Sequence, residues 1–439
     1  VHGHTFSILG LPVAASVRRI AGPGPQTALV RAILLVFLPF SAGYYLSYFY
    51  RSTNAVIAPQ LVSEVGLNAG DLGFLTSMYF LTFAAFQLPL GILLDRYGPR
   101  RVQSCLLLAA AAGALLFSFG DDIVTLAVGR GLIGLGVAGC LMAAIKAGTI
   151  WFDTRHWPVV NGCLLAVGGL GAVSATAPLE AALGVVGWRH IFVALACATV
   201  LVSGLILVVV PESRTAVVRS GLVQQVRELG RIYTDRVFWR LAPLTVAGMS
   251  ANLAIQGLWA GPWLRDVAGF GRDGVALYLL ALALALTVGS VLLGVAASWA
   301  ERRGFPLLSF FVVFSIAFLL VQTVILTGVV PQALWTWIGF GLVANIAMAT
   351  IAYLTRYFPP EQSGRVITAM NMLIFSGVFL TQYLIGEVID LWPKDADGGY
   401  HPQAYMAAFG AVAVAQLASL LWFVLRRPQD DGSRQEPVI

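Results

Sequence analysis

Apolar residues come in runs of about twenty, broken by short polar stretches, and this alternation continues along nearly the whole chain. As a helix, a run of that length spans a hydrocarbon core ~30 Å thick. The runs predict twelve membrane helices near 31–58, 71–93, 102–119, 123–150, 159–181, 189–210, 238–263, 274–299, 305–327, 332–354, 364–389 and 403–425. Residues 211–237, with Arg214, Arg219, Arg227, Arg231 and Arg236, form the one long polar connection. Residues 1–30, which include Arg18 and Arg19, and residues 426–439 are expected to be cytoplasmic tails. The expected fold is therefore an all-α membrane protein, with one bundle over 31–210, a linker over 211–237 and a second bundle over 238–425.

Composition agrees with lipid as the solvent. Apolar residues make up 58% of the chain and charged residues 11%, where a soluble domain carries about a quarter charged. Cys105, Cys140, Cys163 and Cys197 sit in apolar runs without metal or redox spacing, so they read as packing residues. The net charge of +6 has no basic domain behind it that could hold nucleic acid. Basic residues favour cytoplasmic loops. With the N-terminus inside, only Arg189, Arg265, Arg272 and Lys394 fall outside, and Arg51, Arg130 and Lys146 lie within the membrane. The outer loops hold Glu64, Asp71, Asp121, Asp122, Asp266, Asp273, Asp390, Asp395 and Asp397 instead. The expected location is a bacterial-type inner membrane, with both termini cytoplasmic.

The chain also repeats itself. Ala58-Pro59-Gln60-Leu61 with Gly66 matches Gly261-Pro262-Trp263-Leu264 with Gly269, at an offset of 203. Asp95-Arg96-Tyr97-Gly98 matches Glu301-Arg302-Arg303-Gly304 at 206, as Gly171 matches Gly377. An ordered set of matches near half the chain length implies two six-helix halves in parallel repeat, with a site near mid-membrane between them.

Several motifs carry a family resemblance. Gly91-Ile92-Leu93-Leu94-Asp95-Arg96-Tyr97-Gly98-Pro99-Arg100-Arg101 lies in the predicted loop between helices 2 and 3, and Arg130-Gly131-Leu132-Ile133-Gly134-Leu135-Gly136 lies in helix 4. With Gly187-Trp188-Arg189 and Pro211-Glu212-Ser213, they resemble the major facilitator superfamily across 31–425. Arg51, eight residues before Pro59, resembles an arginine of that family's organic-anion branch, which includes organophosphate antiporters and hexuronate and aldonate transporters. There it contacts the anionic substrate. Tyr50 and Val137 depart from proton-coupled members, which have acids at these places.

The residues themselves sharpen this reading. Tyr44, Ser47, Tyr48, Arg51 and Asn54 share one helix face. A guanidinium there can hold a carboxylate or phosphate in bidentate fashion, with the hydroxyls and amide completing the shell. The competing reading is an arginine that snorkels to the interface. Arg130 fits either a charge-coupling role or a bridge to helix 1, and Lys146 reaches toward the cytoplasmic mouth as a candidate for substrate contact, gating or coupling. Asn252, Gln256, Trp259 and Trp263 share a face of helix 7, and Asn371 and Gln382 a face of helix 11. These could form a facing wall for substrate or pack between helices. Glu180 and Glu387, near the outer ends of helices 5 and 11, are either proton sites or closures of the outer gate. Asp95, Arg96, Arg100 and Arg101, with Glu301, Arg302 and Arg303, are expected to gate the cytoplasmic side.

No nucleophile–base set, metal cluster, nucleotide loop or cofactor motif stands out in the sequence. The expectation is a monomeric secondary transporter of a small organic anion working by alternating access. Its other partners would be the lipid bilayer and a proton or counter-anion. The alternatives are proton-coupled export of a drug or metabolite and, from another class, a receptor or sensor on the same fold.

Overall fold

The computed structural model describes residues 25–212, 222–359, 362–395 and 398–426. Most of both expected tails, along with Arg18, Arg19, Arg214, Arg219 and Asp397, lie outside them. The described residues are overwhelmingly helical, and the one extended pairing among them is a lone bridge between Lys394 and Tyr400.

Eleven helical stretches are long and apolar enough to cross a membrane. One of them, Ala69–Ser118, is two spans joined end to end, since within its 50 residues only Gly98 leaves helical geometry. The twelve spans are α1 (Leu29–Ser52, continued over Asn54–Val65), α2 (69–97), α3 (99–118), α4 (Ile123–Trp151), α5 (Thr154–Leu183), α6 (Trp188–Val209), α7 (Arg236–Asp266), α8 (Arg272–Arg302), α9 (Leu307–Thr327), α10 (Leu334–Tyr357), α11 (Ser363–Ile389) and α12 (Pro402–Leu425). A helix over Leu222–Tyr233 connects the halves. The face of the bundle that carries it is the connector face.

The span ends differ from expectation most at α1 and at the α2–α3 connection. The α2–α3 connection was expected to take eight residues and takes one. Gly98 turns the chain at φ 78°, which a residue without Cβ adopts freely, and Pro99 then starts α3 at a position where its missing N–H costs nothing. α1 was expected to stop at 58 and runs on to Val65. Pro59 has no N–H to give the Ala55 carbonyl. Gly261 of α7 packs against that orphaned oxygen, and a Cβ on it would come within 2.5 Å.

The repeat is visible in the backbone. Gly304 turns α8 into α9 at φ 78°, as Gly98 does between α2 and α3, and Gly66 and Gly269 end α1 and α7 at φ 77° and 73°. Gly171 of α5 rests on the Tyr45 carbonyl of α1, while Gly377 of α11 rests on Val246 and Ser250 of α7. The same helix pair is thus closely packed in each half.

The halves meet through small residues. Lipid gives apolar helices little reason to associate, so close backbone approach and hydrogen bonds must hold them together. A Cβ on Gly73 would lie 2.8 Å from the Gln382 carbonyl, and one on Gly386 would lie 2.5 Å from that of Ala69, joining α2 to α11. Gly169 of α5 faces Thr287 of α8. These contacts run from mid-membrane to the face opposite the connector. Large apolar side chains such as Leu201, Val208, Leu292 and Val295 stay exposed on the rim, as lipid-facing positions do.

Candidate functional site

Arg51 lies on α1 two residues before the break at Thr53, whose hydroxyl bonds back to the Phe49 carbonyl. Its guanidinium carbon is 4.8 Å from the Tyr48 ring, 5.6 Å from Phe83 of α2 and 5.7 Å from Phe375 of α11. Phe83 and Phe375 touch each other with ring centres 4.2 Å apart, and Phe80 stacks on Phe375 at 6.3 Å. The cation therefore sits in an aromatic frame built by both halves. Its electrostatic partners are the hydroxyls of Tyr79, Tyr48 and Tyr44, none of them a carboxylate. Arg51 Nε is buried and has no hydrogen-bond partner among the described residues.

The rest of the α1 face is built around this group. Tyr44 meets Tyr48 edge-on at 5.1 Å and fits against α5 because residue 168 is glycine, where a Cβ would come within 2.5 Å of its ring. Tyr79 donates to the Ser47 carbonyl at 3.4 Å. Asn54 donates to the Thr76 hydroxyl at 2.7 Å, and its Oδ1 has no partner among the described residues.

Arg130 is placed elsewhere. It is 1% exposed and points into the interior of the first half, donating from Nη1 to the Tyr50 carbonyl at 3.1 Å. Phe117 and Phe192 flank its guanidinium at 4.7 and 5.3 Å. It bridges to α1, shares Tyr79 with Arg51 as an electrostatic neighbour, and keeps Nε and Nη2 without a hydrogen-bond partner among the described residues.

The second-half residues fall into two groups. Asn252 donates to Asn345 Oδ1 at 2.9 Å, and Asn345 donates to the Ser290 hydroxyl at 2.7 Å. That amide chain ties α7, α10 and α8 together inside the second half. Trp259 donates to the Gln382 carbonyl at 3.3 Å, linking α7 to α11. Gln382 is fully buried, with neither side-chain polar atom partnered among the described residues. Gln256 lies in the π-helical turn Ile255–Trp259, and both it and Asn371 are half-buried. Trp263 packs edge-on against Trp337 at 5.3 Å.

On the connector face Lys146 of α4 pairs with Asp95, and Arg356 of α10 pairs with Glu301 at 2.8 Å. Asp95 and Glu301 are repeat equivalents, so each half carries the same carboxylate-to-cation tie. Arg101 pairs with Glu212, and Arg100 donates from Nε to the Leu207 carbonyl at 2.9 Å. Arg96 and Arg303 lie over Tyr97 and Trp299, and Arg302 bonds back to Ser298. In this conformation none of these named pairs crosses between the halves. On the other face Glu387 is exposed near Gly70, and Glu180 is half-buried between α5 and α8.

Tyr79, Phe83 and Phe375 are the neighbours that the sequence did not single out. Tyr79 and Phe83 stand at i and i+4 and so share a face, but nothing in the chain says which face of α2 turns toward Arg51.

Twelve spans in two repeated halves, with a polar cluster where the halves meet, define a membrane transporter architecture. The chain belongs to the Major Facilitator Superfamily, whose sequence profile matches residues 40–382. Among curated relatives, the "Probable sulfoacetate transporter SauU" of Cupriavidus necator is 24% identical over 277 residues, covering 59% of this chain and 64% of that one. The "Probable L-galactonate transporter" of Escherichia coli is 30% identical over 166 residues, covering 37% of this chain and 35% of its own. The matches thus span less than two thirds of these relatives' lengths. A crystal structure of a bacterial homolog of the human lysosomal transporter Spinster, in an inward-facing conformation, superposes with a TM-score of 0.68 at 17% identity, covering 92% of this chain and 96% of that one.

Proposed function

We propose that this protein is a secondary transporter of a small organic anion, whose carboxylate or sulfonate is held by Arg51 during alternating access between two inverted openings of the bundle. One observation carries the reading. Arg51 is a cation at mid-membrane, where the halves meet, and its partners are neutral rings and hydroxyls. An ionised group in that position is costly unless it serves a polar path or gains a partner. A bound anion supplies that partner, and Tyr44, Tyr48 and Tyr79 can add hydrogen bonds to it. The names of the sulfoacetate and L-galactonate relatives support the same substrate class. The connector face is cytoplasmic in this reading, because the basic residues cluster there.

Purified protein in liposomes tests the proposal. Radiolabelled sulfoacetate and L-galactonate should accumulate or exchange, and a cationic drug should neither move nor compete. Transport of the cation with no response to any carboxylate or sulfonate would overturn the reading.

A further inference from the structure

The acidic face holds a second polar feature away from Arg51. A pocket of about 120 Å³ opens between the halves there, walled by α1, α2, α7, α8 and the segment before α12. Four basic residues were expected on this face. Arg189 is taken up by Glu64 and Asp121, at 2.5 and 2.8 Å. The other three, Arg265, Arg272 and Lys394, all line the pocket, with Glu180 as the one lining carboxylate among the described residues. Arg265 is spent on Asp266, so Arg272 and Lys394, neither of which forms an ion pair at 4 Å or less among the described residues, are the cations this concavity can offer to an anion.

The pocket is also on the path. Ala55 and Ala58 of α1 line it, four and seven residues beyond Arg51, or about 6 to 10 Å along a helix. Trp259 closes its inner side through the bond to Gln382. Lys394 donates to the Leu67 carbonyl at 3.3 Å, and the Tyr400 hydroxyl accepts from Ala69 N–H at 3.0 Å while donating to Asp390 at 2.5 Å. One of the three cations thus also fastens the second half to the first. Arg265 is held by Asp266, and Arg272 has Glu180 in electrostatic range.

We infer that this pocket is a second anion site, which takes the carboxylate or sulfonate of the transported organic anion at the acidic face, one step from Arg51. It rests on the substrate class proposed above. An anion arriving there competes with Glu180 for Arg272 and draws Lys394 away from Leu67, so occupancy loosens the contact that closes this face.

The test is initial-rate transport of radiolabelled sulfoacetate and L-galactonate, measured separately from each face in membrane vesicles of known orientation. Arg272→Gln should raise KM from the acidic face about tenfold with the maximal rate from that face and the connector-face KM unchanged, so that the maximal rate from the connector face falls in proportion. Lys394→Gln, which also removes the tie to Leu67, should raise the acidic-face KM and change the maximal rates as well. Arg272→Lys should restore the native value, and Glu180→Gln should lower the acidic-face KM. Unchanged KM, or equal changes from both faces, would overturn the second site while leaving the Arg51 proposal standing. If the unaltered protein moves neither compound from either face, both proposals fall together.

Discussion

The guanidinium of Arg51 on α1 stands 5.7 Å from the ring of Phe375 on α11, so a single cation–π contact spans the two halves at mid-membrane. A halves-rocking motion must break or remake that contact. Such a contact is worth about 0.5 to 2 kcal/mol, small enough for a bound anion to outweigh it. Arg51 therefore belongs at once to the site and to the moving seam.

Replacing that cation should separate transport from folding. Arg51→Ala is expected to weaken apparent affinity on the order of a hundredfold, matching the few kcal/mol lost with one partner of a desolvated charge pair. Arg51→Lys should recover part of this, because it keeps the charge and loses the planar fork. Both should express and unfold near the native temperature. Normal transport by a well-expressed Arg51→Ala protein would remove Arg51 from the site.

Gly386 tests the closed acidic face. A Cβ there would lie 2.5 Å from the Ala69 carbonyl, which is backbone and cannot swing aside. Gly386→Val should prevent α11 from seating on α2 and hold the protein open toward that face. Reporter cysteines on the acidic face should then label faster and those on the connector face slower. Unchanged labelling on both faces would mean that this contact does not set the equilibrium.

Arg130 should behave as a structural residue. Its guanidinium is buried against Phe117 and Phe192 and bonded to the Tyr50 carbonyl. Arg130→Ala removes the bond and the packing together and should cost about 3 kcal/mol or more in thermal unfolding. Arg130→Lys should recover the bond and much of the stability. A stable Arg130→Ala protein with proton-driven uptake abolished and exchange intact would instead assign Arg130 to coupling.

The pair Asp95–Lys146 joins two partly exposed side chains, and such pairs are worth about 1 kcal/mol or less. A double-mutant cycle of Asp95→Asn with Lys146→Gln should show coupling in turnover larger than the coupling in unfolding. Equal coupling in both would make the tie structural and remove it from gating.

Exchange should not need a buried acid. Glu387 is exposed and Glu180 half-buried on the acidic face, at the outer ends of their helices. Counterflow of substrate for substrate is expected to survive Glu180→Gln and Glu387→Gln, singly and together. Loss of proton-driven accumulation with counterflow intact would identify one of them as the coupling acid.

The sequence by itself determined the spans, their pairing into repeated halves and the polar face that carries Arg51, because hydropathy and the 3.6-residue period are local properties. It also placed the turns nearly at Gly98 and Gly304, since a left-handed backbone position leaves its mark as glycine. Tertiary structure alone decided which residues meet. Helices in lipid can be apolar all round, so the pattern does not fix how each is rotated against its neighbours. That rotation aimed Arg130 at the Tyr50 carbonyl of α1 and turned Asn252 toward Asn345. It gave Lys146 to Asp95, and it gathered Arg265, Arg272 and Lys394, far apart in the chain, around one pocket.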